Sequence, residues 1–338
     1  TEIYTLSLHD ALPICKEFRL PFSWGQGSAR SGAQPEENFR VDPAKEAALA
    51  DQYKVPVPIL ANAEAIFASI PSSWRNREYE VYRLNLGTNI IVLKFASYAA
   101  QRAFFFRLTY FANMDLSERH LEPAGYYEGM HSYNANDYGA ADLAAYFNLL
   151  ADQNMQPEPG EATLLAMATA YSLIQKKNGH YSELAGALIS FSMETEKTQR
   201  KRYLTHETMH GLFYTISALR EEIYKVVDSL PEDELRFWML FLEHKGELDA
   251  RPGLAGYNID DHFLVVNEVF AHTMQGGYDA IDDYFWGTYV PRMKKLLPET
   301  KGFLTELSSR KHNMFEKLFM QFAALLKKHC GLENGALF

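Results

Sequence analysis

Cysteine is almost missing from this chain. Two stand in 338 residues, Cys15 and Cys330. Such scarcity argues against a disulfide scaffold and leaves the redox compartment open. No run of 18 apolar residues occurs, so no transmembrane segment is expected. Nor does any cluster of Lys and Arg approach the footprint that nucleic acid requires. The formal net charge is -10, which excludes a nucleic-acid partner and reads as a solubility feature. Internal repeats and low-complexity segments are absent.

What is present is ordinary for a globular protein that buries a large core. Hydrophobic residues make up 47% and aromatics 14%, with 22 Phe and 20 Tyr, which favours packed layers over disorder. Residues 4–14 read like a translated sequencing-library adapter, and 25–38 are rich in Gly, Ser, Ala and Gln. Residues 1–38 are therefore expected to be a non-native or disordered segment and carry no fold argument.

Beyond them, the pattern predicts an α+β chain. A short helix over 44–53 stops at Pro56 and Pro58. Strands follow over 78–86 and 89–95. A helix over 97–113 carries the aromatic stripe Phe104, Phe105, Leu108 and Phe111, whose expected role is core packing. Residues 120–138 read as a polar-aromatic loop containing His120 and His131, and 140–150 as helix. The prolines and glycine of 156–160 suggest a linker. It divides a mixed α/β region, 39–155, from a region over 156–338 that ends in helices. In the second region, 164–175 reads as helix and 187–193 as strand. Further helices are predicted over 198–227, 232–245, 260–274 and 313–329. The stripe Met209, Leu212, Phe213, Ile216, Leu219, Ile223 and Val227 makes 198–227 one long helix.

The chemistry concentrates at His206-Glu207-Thr208-Met209-His210, an HExxH pattern. Composition alone produces it in about 3 of 100 such chains, so its context has to argue for it. On a helix, residues four apart share a face, and two imidazoles there can grip one metal ion. The glutamate between them can hold a water beside that ion and take its proton. Zinc needs a third protein ligand. The three-histidine metzincin pattern is ruled out, because Phe213 and Ile216 occupy the positions it gives to Gly and His. A glutamate on a later helix is the other solution, and Asn267-Glu268 offers one inside an apolar stretch. An acid buried there without a partner would be costly, and metal ligation would offset that cost. His244, Glu243, Glu247, Asp261 and His262 are the rival third ligands.

HExxH on one helix followed by Asn-Glu on a second resembles the gluzincin class of zinc metallopeptidases, over roughly residues 186–275. The resemblance implies a zincin-like catalytic region in which His206, His210 and Glu268 ligate Zn2+ and Glu207 is the general base. It implies a peptide or protein substrate, bound along an edge strand for which 187–193 is the candidate. Tyr257, Tyr278, His262 and His272 are candidates to stabilise the oxyanion. One departure stands out. Many gluzincins carry Asp four residues after the ligand glutamate, and here that position is His272. Asp260, Asp261 or the backbone are then left to orient the ligands, or His272 faces the cleft and assists proton transfer. The alternative to an enzyme is a peptidase-like module that binds peptide or metal without turnover.

Overall fold

Alternation along three strands decides the layout. In a computed structural model of the chain, the residues described are 41–114, 119–127, 134–249, 256–310 and 313–338. The N-terminal segment 1–38, His131 and Cys15 lie outside them. In chain order, the elements begin with helix α1 (Pro43–Tyr53), strand β1 (Ile59–Ala61), α2 (Ala63–Ala68), β2 (Tyr79–Leu84), β3 (Ile90–Phe95) and α3 (Tyr98–Asn113). There follow β4 (Ala135–Gly139), α4 (Ala140–Asp152), α5 (Pro159–Ala170), β5 (Ile174–Lys177), β6 (His180–Glu183) and β7 (Ala187–Ser192). Helices α6 (Lys197–Thr215), α7 (Ser217–Asp228), α8 (Glu232–Glu243), α9 (Lys245–Leu248) and α10 (His262–Met274) come next. The chain closes with α11 (Tyr278–Asp282), α12 (Val290–Leu296), α13 (Lys301–Ser309) and α14 (Met314–Cys330).

The fold is mixed α/β, with one five-stranded sheet in the order β1-β2-β3-β7-β4 and a mostly helical C-terminal half. β2 and β3 pair antiparallel, β3 and β7 parallel, β7 and β4 antiparallel. Side chains alternate across this sheet. Val81, Ile91, Leu93, Phe95 and Leu188 join one core with Phe104, Phe105, Leu108 and Phe111 of α3, as the aromatic stripe predicted. Tyr82, Ile90, Val92, Ile189 and Phe191 join the other core, with Leu204, Met209, Leu212 and Phe213 of α6. The sheet is thus covered on both faces. It draws strands from either side of 155/156, since β7 lies between β3 and β4.

Local signals explain most boundaries. Asp42 caps α1 by accepting from the Ala44 and Lys45 amides, and Pro43 follows at the first helical position. Ser97 caps α3. The stretch 156–160 leads into α5, which begins at Pro159, with Glu158 and Glu161 forming a reciprocal cap. Helix α5 is held on α3 by the buried Arg107–Glu161 ion pair, which Tyr146 completes by donating to Glu161 Oε1 at 2.7 Å. The helix expected over 164–175 ends at Ala170. Beyond it, Asn178 and Gly179, both at positive φ, turn the β5–β6 hairpin.

One expectation fails at the helix that carries the site. The stripe over 198–227 is not one helix. α6 ends at Thr215, and Ile216 takes an extended conformation (φ -118°, ψ 94°) before α7 begins. Both helices bury apolar faces in the same core, so the stripe continues although the axis does not.

Candidate metal centre

Helix α6 leaves the sheet directly from β7. Glu196 caps it, accepting from the Thr198 amide at 2.9 Å. Along the helix, 204–213 are buried on every side, because the sheet lies beneath and α10 above. Gly211 lets the helix come this close to the sheet. A Cβ there would stand 3.1 Å from the Ile90 side chain of β3. The histidine pair is therefore fixed between two packed layers.

His206 and His210 sit one turn apart, with their Nε2 atoms 3.0 Å from each other and their rings at 88°. Glu268 comes from α10. Its Oε2 is 3.6 Å from His206 Nε2 and its Oε1 3.6 Å from His210 Nε2. All three are buried, with 8%, 1% and 5% of their surface exposed. They form a group able to hold a metal ion, two nitrogens and a carboxylate converging on one point. A tetrahedral ion with bonds of about 2.0–2.1 Å sets its ligand atoms roughly 3.3–3.4 Å apart, close to the spacings of this group.

The electrostatics argue for a cation. Burial drives Glu268 up to about 7, against the pull of His210 and a hydrogen bond from Tyr257. Burial, then the Asp137 and Glu268 charges, lifts Glu207 well above the carboxylate range. Burial also drives His206 well below the usual imidazole value, reinforced by His210 and Lys245. For His210 burial acts in the same direction, but Asp137 and Glu268 outweigh it and the net direction is up. Glu268 Oε2 and His272 Nε2 are buried without a hydrogen bond. They approach each other at 3.5 Å. Unpaired buried groups of this kind are expensive. A divalent cation would invert the local pattern, stabilising the carboxylate and the neutral imidazoles together. The donor set fits such an ion.

Helix α10 faces both imidazoles. The Ala271 carbonyl and Gln275 act on His206, and Asn267 acts on His210, each favouring a proton on the ring. Neither Nδ1 has a hydrogen-bond partner among the described residues, so none of the orienting groups expected from sequence is seen to hold it. Asp261 instead caps α10 by accepting from the Leu264 amide. His272 does stand beside the ligands, its ring 4.6 Å from that of His206 and its Nδ1 3.2 Å from Gln275 Nε2.

The rival ligands go elsewhere. His262 binds Asp228 at 2.8 Å, and His244 lies beside Glu243 and Glu247. Of the four oxyanion candidates, Tyr257 and His272 line the cleft that holds the trio. Tyr278 is exposed and packs on Phe319, and His262 packs on Tyr224. His120 is a surface residue beside Glu122.

The strand expectation needs correction. Strand 187–193 forms as β7, but it is paired on both sides and presents no edge. The edge beside the site is β4, inside the stretch that reads as a loop. Residues 134–138 line the cleft, which encloses about 1050 Å³. Its strand brings a residue the sequence did not flag. The Asp137 carboxylate lies within 4.8 Å of both Glu207 and His210 and accepts a hydrogen bond from Tyr214 of α6 at 2.6 Å. Asn267 donates in turn to the Tyr214 hydroxyl at 3.3 Å. The only hint in the sequence was the polar-aromatic alternation of 134–138 ahead of Gly139, where a Cβ would meet the Tyr214 ring at 3.4 Å.

No protein-family model, curated protein or solved structure matches this chain. Among the described residues, no helix is long and apolar enough to cross a membrane.

Proposed function

We propose that this chain is a zinc-dependent peptidase in which His206, His210 and Glu268 hold the ion and Glu207 is the general base. The observation that carries the reading is the position of Glu207. It follows the first ligand on α6, shares the cleft with the trio, and has its carboxylate within 4.8 Å of His210. Two nitrogens and one carboxylate suit zinc and leave room for a further ligand.

Zinc so held supplies Lewis acidity toward a carbonyl oxygen and acidifies a water. The protein does the rest. His206 and His210 donate as neutral imidazoles facing α10. Glu207 takes the proton of the attacking water and passes it to the departing amine. Its burial beside Asp137 raises its affinity for that proton, which suits a group that has to carry it. Tyr257, whose hydroxyl reaches Glu268, and His272 are the two oxyanion candidates that line the cleft. Among the described residues β4 is an edge strand, and it offers main-chain hydrogen bonds to an extended peptide, which makes peptides a better fit than compact amides.

The test is metal content and hydrolysis measured together. Purified protein and Glu207→Gln should each hold about one zinc, with peptide cleavage only in the former. A wild-type protein without metal at neutral pH overturns the reading. Metal in both but no cleavage across a broad peptide library leaves a binding module.

A further inference from the structure

The cleft that holds the trio has a wall of cations, and the mechanism above uses none of them. Helix α6 opens with Lys197, Arg200, Lys201 and Arg202, in a chain whose net charge is -10. Arg200 and Lys201 stand over the rings of Phe67 and Phe338, neither of which lines the cleft. Arg202 turns the other way. It shares a helix face with His206, four residues on, and lines the cleft with it. Its guanidinium lies over the Tyr284 ring, 5.0 Å from the centroid. Among the described residues no carboxylate pairs with it. Its charge reaches His272, which burial already holds well below the usual imidazole range.

The ring beneath Arg202 comes from an unusual segment. Residues Asp283–Tyr289 wind as a π-helix, a wide coil that is rare and gathers at functional sites. It sets the Tyr284 and Tyr289 rings 4.8 Å apart on the cleft wall. A second guanidinium, Arg292, stands 5.5 Å from the Tyr289 ring and donates to the Leu248 carbonyl at 3.0 Å. It lines the same cleft and, among the described residues, pairs with no acid either. Lys245, the third cation of the wall, is taken up by Asp249. A ring face holds a guanidinium in place and leaves its N–H groups to a planar anion. Two arginines are thus seated on tyrosines at the cleft with no carboxylate of the protein against them.

From this wall we infer that Arg202, seated on Tyr284 and with Arg292 adding to its field, binds a carboxylate of the substrate. The inference rests on the peptidase reading and names the substrate class for it, peptides with a negative charge at a set distance from the cleaved bond. Four residues of helix rise about 6 Å, and an extended peptide advances about 3.3–3.6 Å per residue. The carboxylate therefore lies about two or three residues from the bond. A C-terminal carboxylate and an Asp or Glu side chain share that chemistry. An arginine–carboxylate pair at a cleft wall stands between an exposed pair and a desolvated one, which corresponds to about fivefold to thirtyfold in affinity.

Two peptide sets separate the sources. Both are built on one acetylated oligopeptide. In the first, the peptide ends as a free acid or as an amide, at successive lengths. In the second every member is amidated, and Glu replaces Gln at each position in turn. kcat/KM is measured on the zinc-loaded wild type, Arg202→Gln and Arg202→Glu. Binding of the same peptides to the Glu207→Gln protein, alone and combined with Arg202→Gln, is measured by calorimetry with and without zinc. Arg202 is exposed, so its variants should melt as the wild type does and hold as much metal. At one position in one set the charged member should win by about fivefold or more. Arg202→Gln should bring that ratio toward one, Arg202→Glu should reverse it, and added salt should shrink it.

Equal use of charged and neutral members by the wild type overturns the inference. So does a preference that survives Arg202→Gln, since the carboxylate then meets the metal ion and not the arginine. An Arg202→Gln variant that slows every member by one factor also overturns it and leaves Arg202 as a strut between α6 and Tyr284. Failure of the underlying reading looks different: no member is cleaved, while the calorimetric ratio, by depending on Arg202 or not, still upholds or overturns the carboxylate site.

Discussion

Tyr214 donates its hydroxyl to Asp137 at 2.6 Å, and this one bond ties the helix that carries the histidines to the edge strand of the sheet. The same hydroxyl accepts from Asn267, which bears on His210. The edge strand β4, the histidine-bearing helix α6 and the Glu268-bearing helix α10 therefore meet at a single phenol. Tyr214→Phe should keep the ring stacked on Phe263 and lose both hydrogen bonds. Thermal or denaturant melts should show a loss of about 1 kcal/mol per bond. Cleavage should fall mainly through KM, because the wall moves and the metal ligands do not.

Removing a ligand has a sharper signature. Glu268→Gln or His210→Ala should lower bound metal from about one equivalent to a small fraction, read by elemental analysis. Chelator should lower the melting temperature of the wild type and leave the variants unchanged, because a ligand that binds only the folded state stabilises it by mass action, about 4 kcal/mol at a thousandfold excess over Kd. A variant that still melts higher with zinc would point to a different third ligand.

In the metal-free protein Glu268 should give a pH dependence of set direction. Burial raises it to about 7, from 4.5 in the unfolded chain. A carboxyl raised by folding contributes stability that is whole below pH 4.5 and is lost as pH climbs through 7. His206 and His272, lowered by burial, act in the opposite sense as pH falls below 6.5. The Glu268 part is therefore read as a difference between chelated wild type and chelated Glu268→Gln in urea melts. Wild type relative to the variant should be more stable near pH 5 than near pH 7.5. A difference that grows from pH 5 to 7.5 would contradict the assignment.

Lys94 tests a part of the fold away from the site. It is fully buried, and its ammonium donates to the carbonyls of Ile66, Phe67 and Ser69 at 2.7, 2.9 and 2.7 Å, closing the end of α2. Lys94→Met keeps the stem and strands three acceptors, at a cost of about 2–4 kcal/mol.

Gly211 tests how closely α6 must lie on the sheet. Gly211→Ala gains helix propensity of about 1 kcal/mol but pushes a methyl against Ile90, which is fully buried on the central strand and has little room to yield. Net destabilisation of about 1 kcal/mol is expected, with weakened metal binding through the neighbouring His210. Combining it with Ile90→Val should recover part of both. Two changes that simply add would show that the contact is not the cause.

The sequence exposed the His206, His210 and Glu268 cluster because a metal site demands spacing: four residues on one helix, and an acid embedded among Val265, Val266, Val269 and Phe270 that has to be compensated. It also exposed the two-sided sheet through Ile90 to Phe95. It hid β4, because Asn136 and Asp137 are poor strand formers and an edge strand with a polar cleft face has no apolar alternation to display. Strand order was equally invisible. Nothing local in 187–192 says that both of its sides are paired. The break at Ile216 escaped because two helices that bury the same core continue one apolar stripe. Asn178-Gly179, just beyond the helix expected over 164–175, carries the turn signal of the β5–β6 hairpin.

The place of β7 between β3 and β4 has a consequence for how the chain is made. Ile90 to Phe95 has apolar side chains on both faces and stays an open edge until residue 192 has been synthesised. During synthesis the nascent chain exposes a strand of the kind that pairs with neighbours. The strand that closes this edge leads straight into the helix that carries His206 and His210. Expression at low temperature, or with a chaperone that shields strand edges, should raise soluble yield, whereas added zinc should act only after the sheet is closed.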